Sequence, residues 1–227
     1  MTTPHISAPT LAFPAELRSN PDLTCQIRIL INNAFRRSKL PDPDKWDLDR
    51  PRFPTNESYY EQLGEEAVVA LIFDHNIFNN SCEHHEQASE HEEGKFSGKV
   101  IACAAAVPWK GGWAKEGAGK EVGWEIKAVA VHEDPNYLHK GLAVKAMKAL
   151  EEYLVEDPKV KKSVAQKGGM TLWLLVAECI NGVYWRKRGY HEVRRNTEGA
   201  GTWGCKTSFD LVVYCKDVEI GIADKSP

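Results

Sequence analysis

The sequence has no C-x-x-C pair, no Gly-x4-Gly-Lys-Ser/Thr phosphate loop, no Gly-x-Ser-x-Gly elbow and no His-Glu-x-x-His pair. Zinc ribbons, P-loop nucleotide hydrolases, hydrolase-type serine nucleophiles and zincin peptidases are therefore set aside. It has little net charge: 29 Lys plus Arg against 32 Asp plus Glu leave −3, which offers no general attraction to nucleic acid or to an anionic membrane surface. Long apolar runs are missing, the best being stretches such as Val100 to Val107, far short of the roughly 20 residues a membrane span requires. The first residues, MTTPHISAPTLAFPAELRSN, lack the basic start and apolar stretch of a secretory signal, so cytoplasmic residence is expected, with the nucleus left open. The six cysteines, Cys25, Cys82, Cys103, Cys179, Cys205 and Cys215, are widely spaced, and reduced, mostly buried thiols with no structural metal are expected.

What is present is ordinary globular composition, 42% hydrophobic and 27% charged over 227 residues, with no internal repeat and no composition break. A single domain over 1–227 is expected. Residues 20 to 40 read as a helix with Asn20 as cap, Pro21 in the first turn and Ile27, Leu30, Ile31, Ala34 and Phe35 on one face. Leu40 to Pro54, with four prolines and four aspartates around Trp46, reads as a loop, after which Asn56 is expected to cap a short helix ending at Gly64. Ala67 to Phe73 and Val100 to Val107 read as strands of an antiparallel hairpin. Between them, residues 75–98 are acidic and histidine-rich and are expected to be a flexible insertion, in which Cys82, His84, His85 and His91 match no defined metal geometry.

Beyond a glycine-rich loop at 110–120, Val122 to His132 reads as a strand, Gly141 onward as an amphipathic helix, Met170 to Val176 as a strand, Asn181 to Arg188 as a short helix and Phe209 to Lys216 as a last strand. That order predicts an α+β fold around a mixed sheet, with a βαβ unit from Val122 to Val176 and a ligand beyond the carboxyl end of its first strand. Gly117 and Gly119 precede a strand rather than follow one, so no dinucleotide fingerprint is read there. At the strand-to-helix junction stands Tyr137-Leu138-His139-Lys140-Gly141-Leu142-Ala143, where the free N–H groups of a helix start would suit a phosphate without any overall positive charge. An ordinary glycine turn explains the same residues.

The stretch AVAVHEDPNYLHKGLA supplies Val129, Val131, Pro135, Tyr137, Gly141 and Ala143, and here the sequence resembles the GNAT superfamily of N-acetyltransferases, whose pyrophosphate loop reads Gln/Arg-x-x-Gly-x-Gly/Ala. Leu138 stands where the family has Gln or Arg, and the preceding turn is about two residues longer than the common form. Downstream, Tyr184-Trp185-Arg186-Lys187-Arg188-Gly189-Tyr190 is similar to the family's aromatic-Tyr-x-Lys-x-Gly-Phe helix end. The resemblance implies a central mixed, mostly antiparallel sheet with a splayed parallel pair and flanking helices. It also implies acetyl-CoA as cofactor, bound through Val129, Ala130, Val131 and the Leu138, His139, Lys140, Gly141, Leu142 and Ala143 segment, with a strand bulge near Val129.

In the family an amine attacks the thioester directly, and a base must first take its proton. Glu125 matches the glutamate that histone acetyltransferases of the superfamily use, and burial beside Trp124 and Ile126 would raise its pKa; a solvent-facing strand glutamate is the alternative. Trp185 falls on the position of the family's proton-donating tyrosine, leaving the neighbouring Tyr184 as the candidate acid. Cys179 is expected to be a buried small residue rather than an acyl carrier. The acceptor side implied is Phe35 to Tyr60, with Trp46, Tyr59 and Tyr60 as aromatic walls and Asp42, Asp44, Asp47 and Asp49 as either attractors of a cationic amine or turn formers. The expected activity is acetyl transfer to a small primary amine, with a peptide acceptor or a catalytically silent CoA-binding sensor as alternatives. The basic residues Arg186, Lys187, Arg188, Arg194 and Arg195 read as solvated helix end and strand edge; no nucleic-acid or membrane partner is expected, and oligomeric state is not legible.

Overall fold

The computed structural model describes residues 3–77, 95–157 and 169–218. The chain forms two compact units: the first comprises Met1–Val107, Ile126–Leu150 and Glu198–Ser208, the second Pro108–Glu125, Glu151–Thr197 and Phe209–Pro227. In chain order the elements are β1 (Thr10–Ala12), α1 (Pro14–Arg18), α2 (Pro21–Lys39), α3 (Asn56–Leu63), β2 (Val68–Asp74), β3 (Lys99–Pro108), β4 (Trp124–Val131), α4 (Leu142–Glu156), β5 (Met170–Ala177), α5 (Glu178–Arg186), β6 (His191–Glu198), a 3₁₀ turn (Thr202–Gly204) and β7 (Phe209–Val218).

The first unit carries the ladder β1-β2-β3-β4 and the second β4-β5-β7-β6, so the hydrogen-bonded order through the shared β4 is β1-β2-β3-β4-β5-β7-β6. β2 and β3 pair antiparallel from Val68 opposite Ala106 to Asp74 opposite Lys99, with a register shift at Ile72/Phe73. β5 and β7 pair antiparallel over the whole of β5, while β4 and β5 are parallel, in register at Trp124 with Leu172 and Glu125 with Trp173. The expected mixed sheet with flanking helices is what forms.

In the first unit, α2 begins as the sequence indicates: the Asn20 side chain accepts from the Leu23 N–H, and Pro21 occupies the first turn, where a missing N–H costs nothing. Its face of Leu23, Ile27, Leu30 and Ile31 is buried against Val69, Leu71, Cys103, Ala105, Ala128 and Ala130 of the sheet and against Tyr59 and Leu63 of α3. α3 starts one residue earlier than its expected cap would allow. Thr55 is the cap, in a reciprocal capping box with Ser58, and Asn56 instead accepts from Arg28 Nε and donates to the Pro21 carbonyl.

In the second unit, Trp109 and Trp173 stack with ring centroids 4.9 Å apart over Val213 and Cys215. The glycine-rich loop is fastened there. Arg194 of β6 donates to Glu116 at 2.7 Å, to Glu121 at 2.5 Å and to the Gly111 carbonyl at 2.9 Å, and Trp109 Nε1 donates to Glu121. α5 starts at Glu178, three residues before the expected start at Asn181, because the chain turns into the helix directly from Ala177. The expected insertion at 75–98, with Cys82, His84, His85 and His91, lies mostly outside the described residues.

Candidate functional site

β4 is irregular at its middle. Ala128 has φ +52°, a left-handed conformation that L-residues avoid, and its carbonyl accepts from the buried Cys103 thiol at 3.4 Å. Burial pushes that thiol up to about 12, so it stays a donor. Beyond Val131 the chain makes a compact turn: the Asp134 carboxylate accepts from the Asn136 N–H, and its carbonyl accepts from the N–H groups of Tyr137 and Leu138. Tyr137 anchors this turn to the end of β2. Its hydroxyl donates to Asp74 Oδ2 at 2.7 Å, while Asp74 Oδ1 accepts from the amides of His5 and Asn76. Burial alone would raise the Asp74 pKa, but these three donors hold it below its ordinary value.

After the turn, His139 at φ +59° and Gly141 at φ +74° flank Lys140, and all three are exposed. Such a change of handedness turns successive amides towards one side. α4 follows at once, and its first intrahelical bond runs from the Lys145 N–H to the Gly141 carbonyl. The N–H groups of Leu142, Ala143 and Val144 stand before that bond, at the positive end of the helix dipole. A Cβ at Gly141 would meet no atom within 4 Å, so the space over this backbone is open. The arrangement suits an anion as large as a diphosphate.

Of the strand residues expected to meet a coenzyme arm, Val129 and Ala130 lie just past the strained Ala128, and the Val131 carbonyl accepts from Arg37 Nη2 of α2 at 2.9 Å. Glu125, in the second unit, is buried to 8% exposure. Tyr184 is half-buried on α5, with the Arg188 guanidinium over its ring, and Trp185 packs edge-on between Tyr184 and Tyr190 in the interior. Cys179 corrects expectation: it is exposed on the first turn of α5. Sequence reasoning missed the polar group beside it, in which the Tyr214 hydroxyl donates to Glu178 at 2.5 Å and accepts from Arg186 at 2.6 Å, with Arg186 also on Glu178. Arg195 pairs with Glu192 and Asp210, so the arginines of this stretch sit among carboxylates.

Among the residues expected to form an acceptor side, all in the first unit, Trp46 and Tyr59 are 2% and 1% exposed, and the Tyr60 hydroxyl lies 3.2 Å from the Leu17 carbonyl. Tyr59 has no hydrogen-bond partner for its buried hydroxyl. Asp42 and Asp47 accept from the amides of Lys45 and Asp49, the turn-forming role. The loop after α2 is tied to residues 198–208 by Asp47 N–H on the Gly204 carbonyl, Arg50 on Gly201 and Lys39 on the Trp203 carbonyl at 2.6 Å. The half-buried faces there are Phe35 and Trp203, both within 5.5 Å of the Arg52 guanidinium. Burial, then the nearby Arg52, lowers the Lys39 pKa. Among the described residues no group of His, Cys, Asp and Glu is placed to hold a metal.

No protein-family model matches the chain, and no curated protein matches it by sequence. Solved structures do match. NAA60 of Arabidopsis thaliana, in complex with a bisubstrate analogue, has TM-score 0.53 at 14% identity, over 88% of this chain and 96% of that one. A GNAT-family acetyltransferase of Streptococcus pneumoniae has TM-score 0.50 at 14% identity, over 92% and 99%. A putative acetyltransferase of Acinetobacter baylyi has TM-score 0.52 at 11% identity, over 100% and 99%. At such identities likeness speaks to architecture, and with the strand order and the parallel β4–β5 pair it gives the chain the GNAT acetyltransferase fold.

Proposed function

We propose that the chain transfers the acetyl group of acetyl-CoA to a primary amine of a small molecule, by direct attack in a ternary complex. The observation that carries this is the exposed 139–141 backbone, with its two left-handed residues running into the free amides of α4 at the carboxyl end of β4. Those amides, with Leu138 and Ala143 at the ends of the segment, would hold the coenzyme's diphosphate, and Val129, Ala130 and Val131 its pantetheine arm. Acetyl-CoA supplies an activated acyl group as a thioester. Glu125 takes the ammonium proton so that the nitrogen lone pair can attack; the main-chain N–H at Val129 donates to the carbonyl oxygen as it gains charge. Once the C–N bond has formed, the nitrogen gives up its second proton to solvent and the C–S bond breaks, and Tyr184 would give a proton to the departing sulfur and regain one from water.

A closed acceptor loop favours a small amine over a peptide: the segment after α2 is bonded to residues 198–208 at several points, and Trp46 is sealed within it. Trp46, Tyr59 and Tyr60 then support the acceptor wall from behind, with Phe35 and Trp203 at its surface. The rival is a protein that binds the coenzyme without turnover, favoured by Trp185, which by the resemblance takes the position of the family's donating tyrosine and here packs against Tyr190. Thiol release from acetyl-CoA against a panel of small amines and basic peptides decides. Turnover with small amines is expected, and Glu125→Gln should lower kcat about 10²-fold or more at neutral pH with CoA affinity unchanged. Binding without thiol release would favour the rival, and an unaltered Glu125→Gln rate would remove Glu125 from the chemistry.

A further inference from the structure

The first unit has a cleft of about 220 Å³ between α2 and the adjoining ends of β3 and β4, bounded by Gln26, Asn33, Arg37, Lys99, His132 and Glu133. Its polar groups are mostly donors. Gln26 is engaged, its side-chain Oε1 accepting from the Val100 amide at 3.2 Å. Arg37 is anchored through Nη2 on the Val131 carbonyl and its Nη1 is buried without a partner, so what it brings to the cleft is a guanidinium charge fixed in place. His132 Nδ1 accepts from the Asp134 amide at 3.2 Å, which fixes the neutral ring as a donor at Nε2. Lys99 completes the set from β3.

The charges around His132 come from every side of the cleft: Lys99 of β3, Arg37 of α2, and Glu133 and Asp134 of its own turn, with the Tyr137 ring edge-on at 5.6 Å. Burial, then Lys99, lowers the imidazole pKa against the opposing pull of Glu133 and Asp134, with Arg37 adding a little to the lowering, so near neutral pH the neutral ring stands among two cations and two carboxylates. An anion in contact with the ring reverses that balance and draws a proton onto it.

We propose that this cleft binds a small oxyanion, a carboxylate or phosphate group, through Lys99, Arg37 and His132, and that binding is coupled to proton uptake at His132. The lining does not include the 138–143 amides, although it shares Val131 with the strand proposed to hold the coenzyme arm, and anion binding here does not require a coenzyme to be bound.

Calorimetric titration of the whole protein with succinate and, in a second arm, inorganic phosphate tests this at pH 8 and pH 5.5. Saturable binding of one or both is expected; because each anion also takes up a proton over this range, the readout is the affinity of the native protein relative to His132→Gln, which should rise about tenfold from pH 8 to pH 5.5, and the arm with the higher affinity identifies the anion. Lys99→Gln should weaken it about tenfold, while His132→Gln, which keeps a donor but cannot titrate, should bind at pH 8 and retain only the pH dependence that protonation of the anion itself imposes. CoA titrated into the same three samples should bind alike, so a failure of the coenzyme site registers separately. Absence of saturable binding by either anion, or affinities and pH profiles in both variants equal to those of the native protein, would overturn the proposal.

Discussion

Two residues of the loop between β4 and α4 hold its shape by different means, and each is separable by substitution. Tyr137 works through Asp74, whose buried carboxylate accepts three hydrogen bonds. Tyr137→Phe should destabilise the protein by about 1–3 kcal/mol at pH 7, measured by urea unfolding, because a buried charge loses a donor. The pH sign follows from the depressed Asp74 pKa in the folded state. Stability tied to the carboxylate is present above the unfolded value of about 4 and is lost as pH falls through the lower folded value, so the gap between native and variant should narrow below about pH 4. Gly141 works through its backbone: at φ +74° an alanine is strained although nothing crowds its Cβ. Gly141→Ala should cost about 1–2 kcal/mol or shift the loop, and in either case weaken CoA binding by titration. The glycine was legible in the sequence. The aspartate was not, since Asp74 lies 63 residues from the tyrosine it serves.

At the scale of elements, helices with a periodic apolar face and strands with apolar runs were legible: α2 has its cap, its proline and its buried row where the sequence puts them, and β2, β3, β5 and β7 lie within a residue or two of expectation. β1 and α1 were missed because three and five residues are too few to show a period. β6 was missed because its sequence, HEVRRNTE, is polar on both faces, and its polar residues serve ion pairs rather than a core. Arg194 is the clearest case, joining β6 to the 110–121 loop through Glu116, Glu121 and Gly111. Both glutamates are held below the ordinary carboxylate range, Glu121 chiefly by Arg194 itself and Glu116 by Arg194 against its burial. Arg194→Gln should cost about 1 kcal/mol and speed amide hydrogen exchange of residues 110–121, leaving α2 and β2 protected. Unchanged exchange there would show the loop to be held by its glycine turns alone.

At the scale of the molecule, the order of helices and strands pointed to a mixed sheet, and the GNAT fold is the outcome. The proposed acceptor side was the least legible part. Trp46 and Tyr59 looked like walls because they are aromatic and sit in or after a loop, yet both are interior, and the side chains that reach its surface include Trp203, which is 157 residues further along the chain than Trp46. Loop-to-loop pairing of that kind has no local signature. The loop proposed to hold the coenzyme stands out in the sequence because the features that suggest it are local, a turn and a helix start within a dozen residues. The most direct measurement of that claim is the amide chemical-shift map of the labelled protein on adding CoA. Saturable shifts concentrated at the amides of His139 to Val144 are predicted; saturation that leaves those amides in place while others move, or no saturation at all, would contradict it.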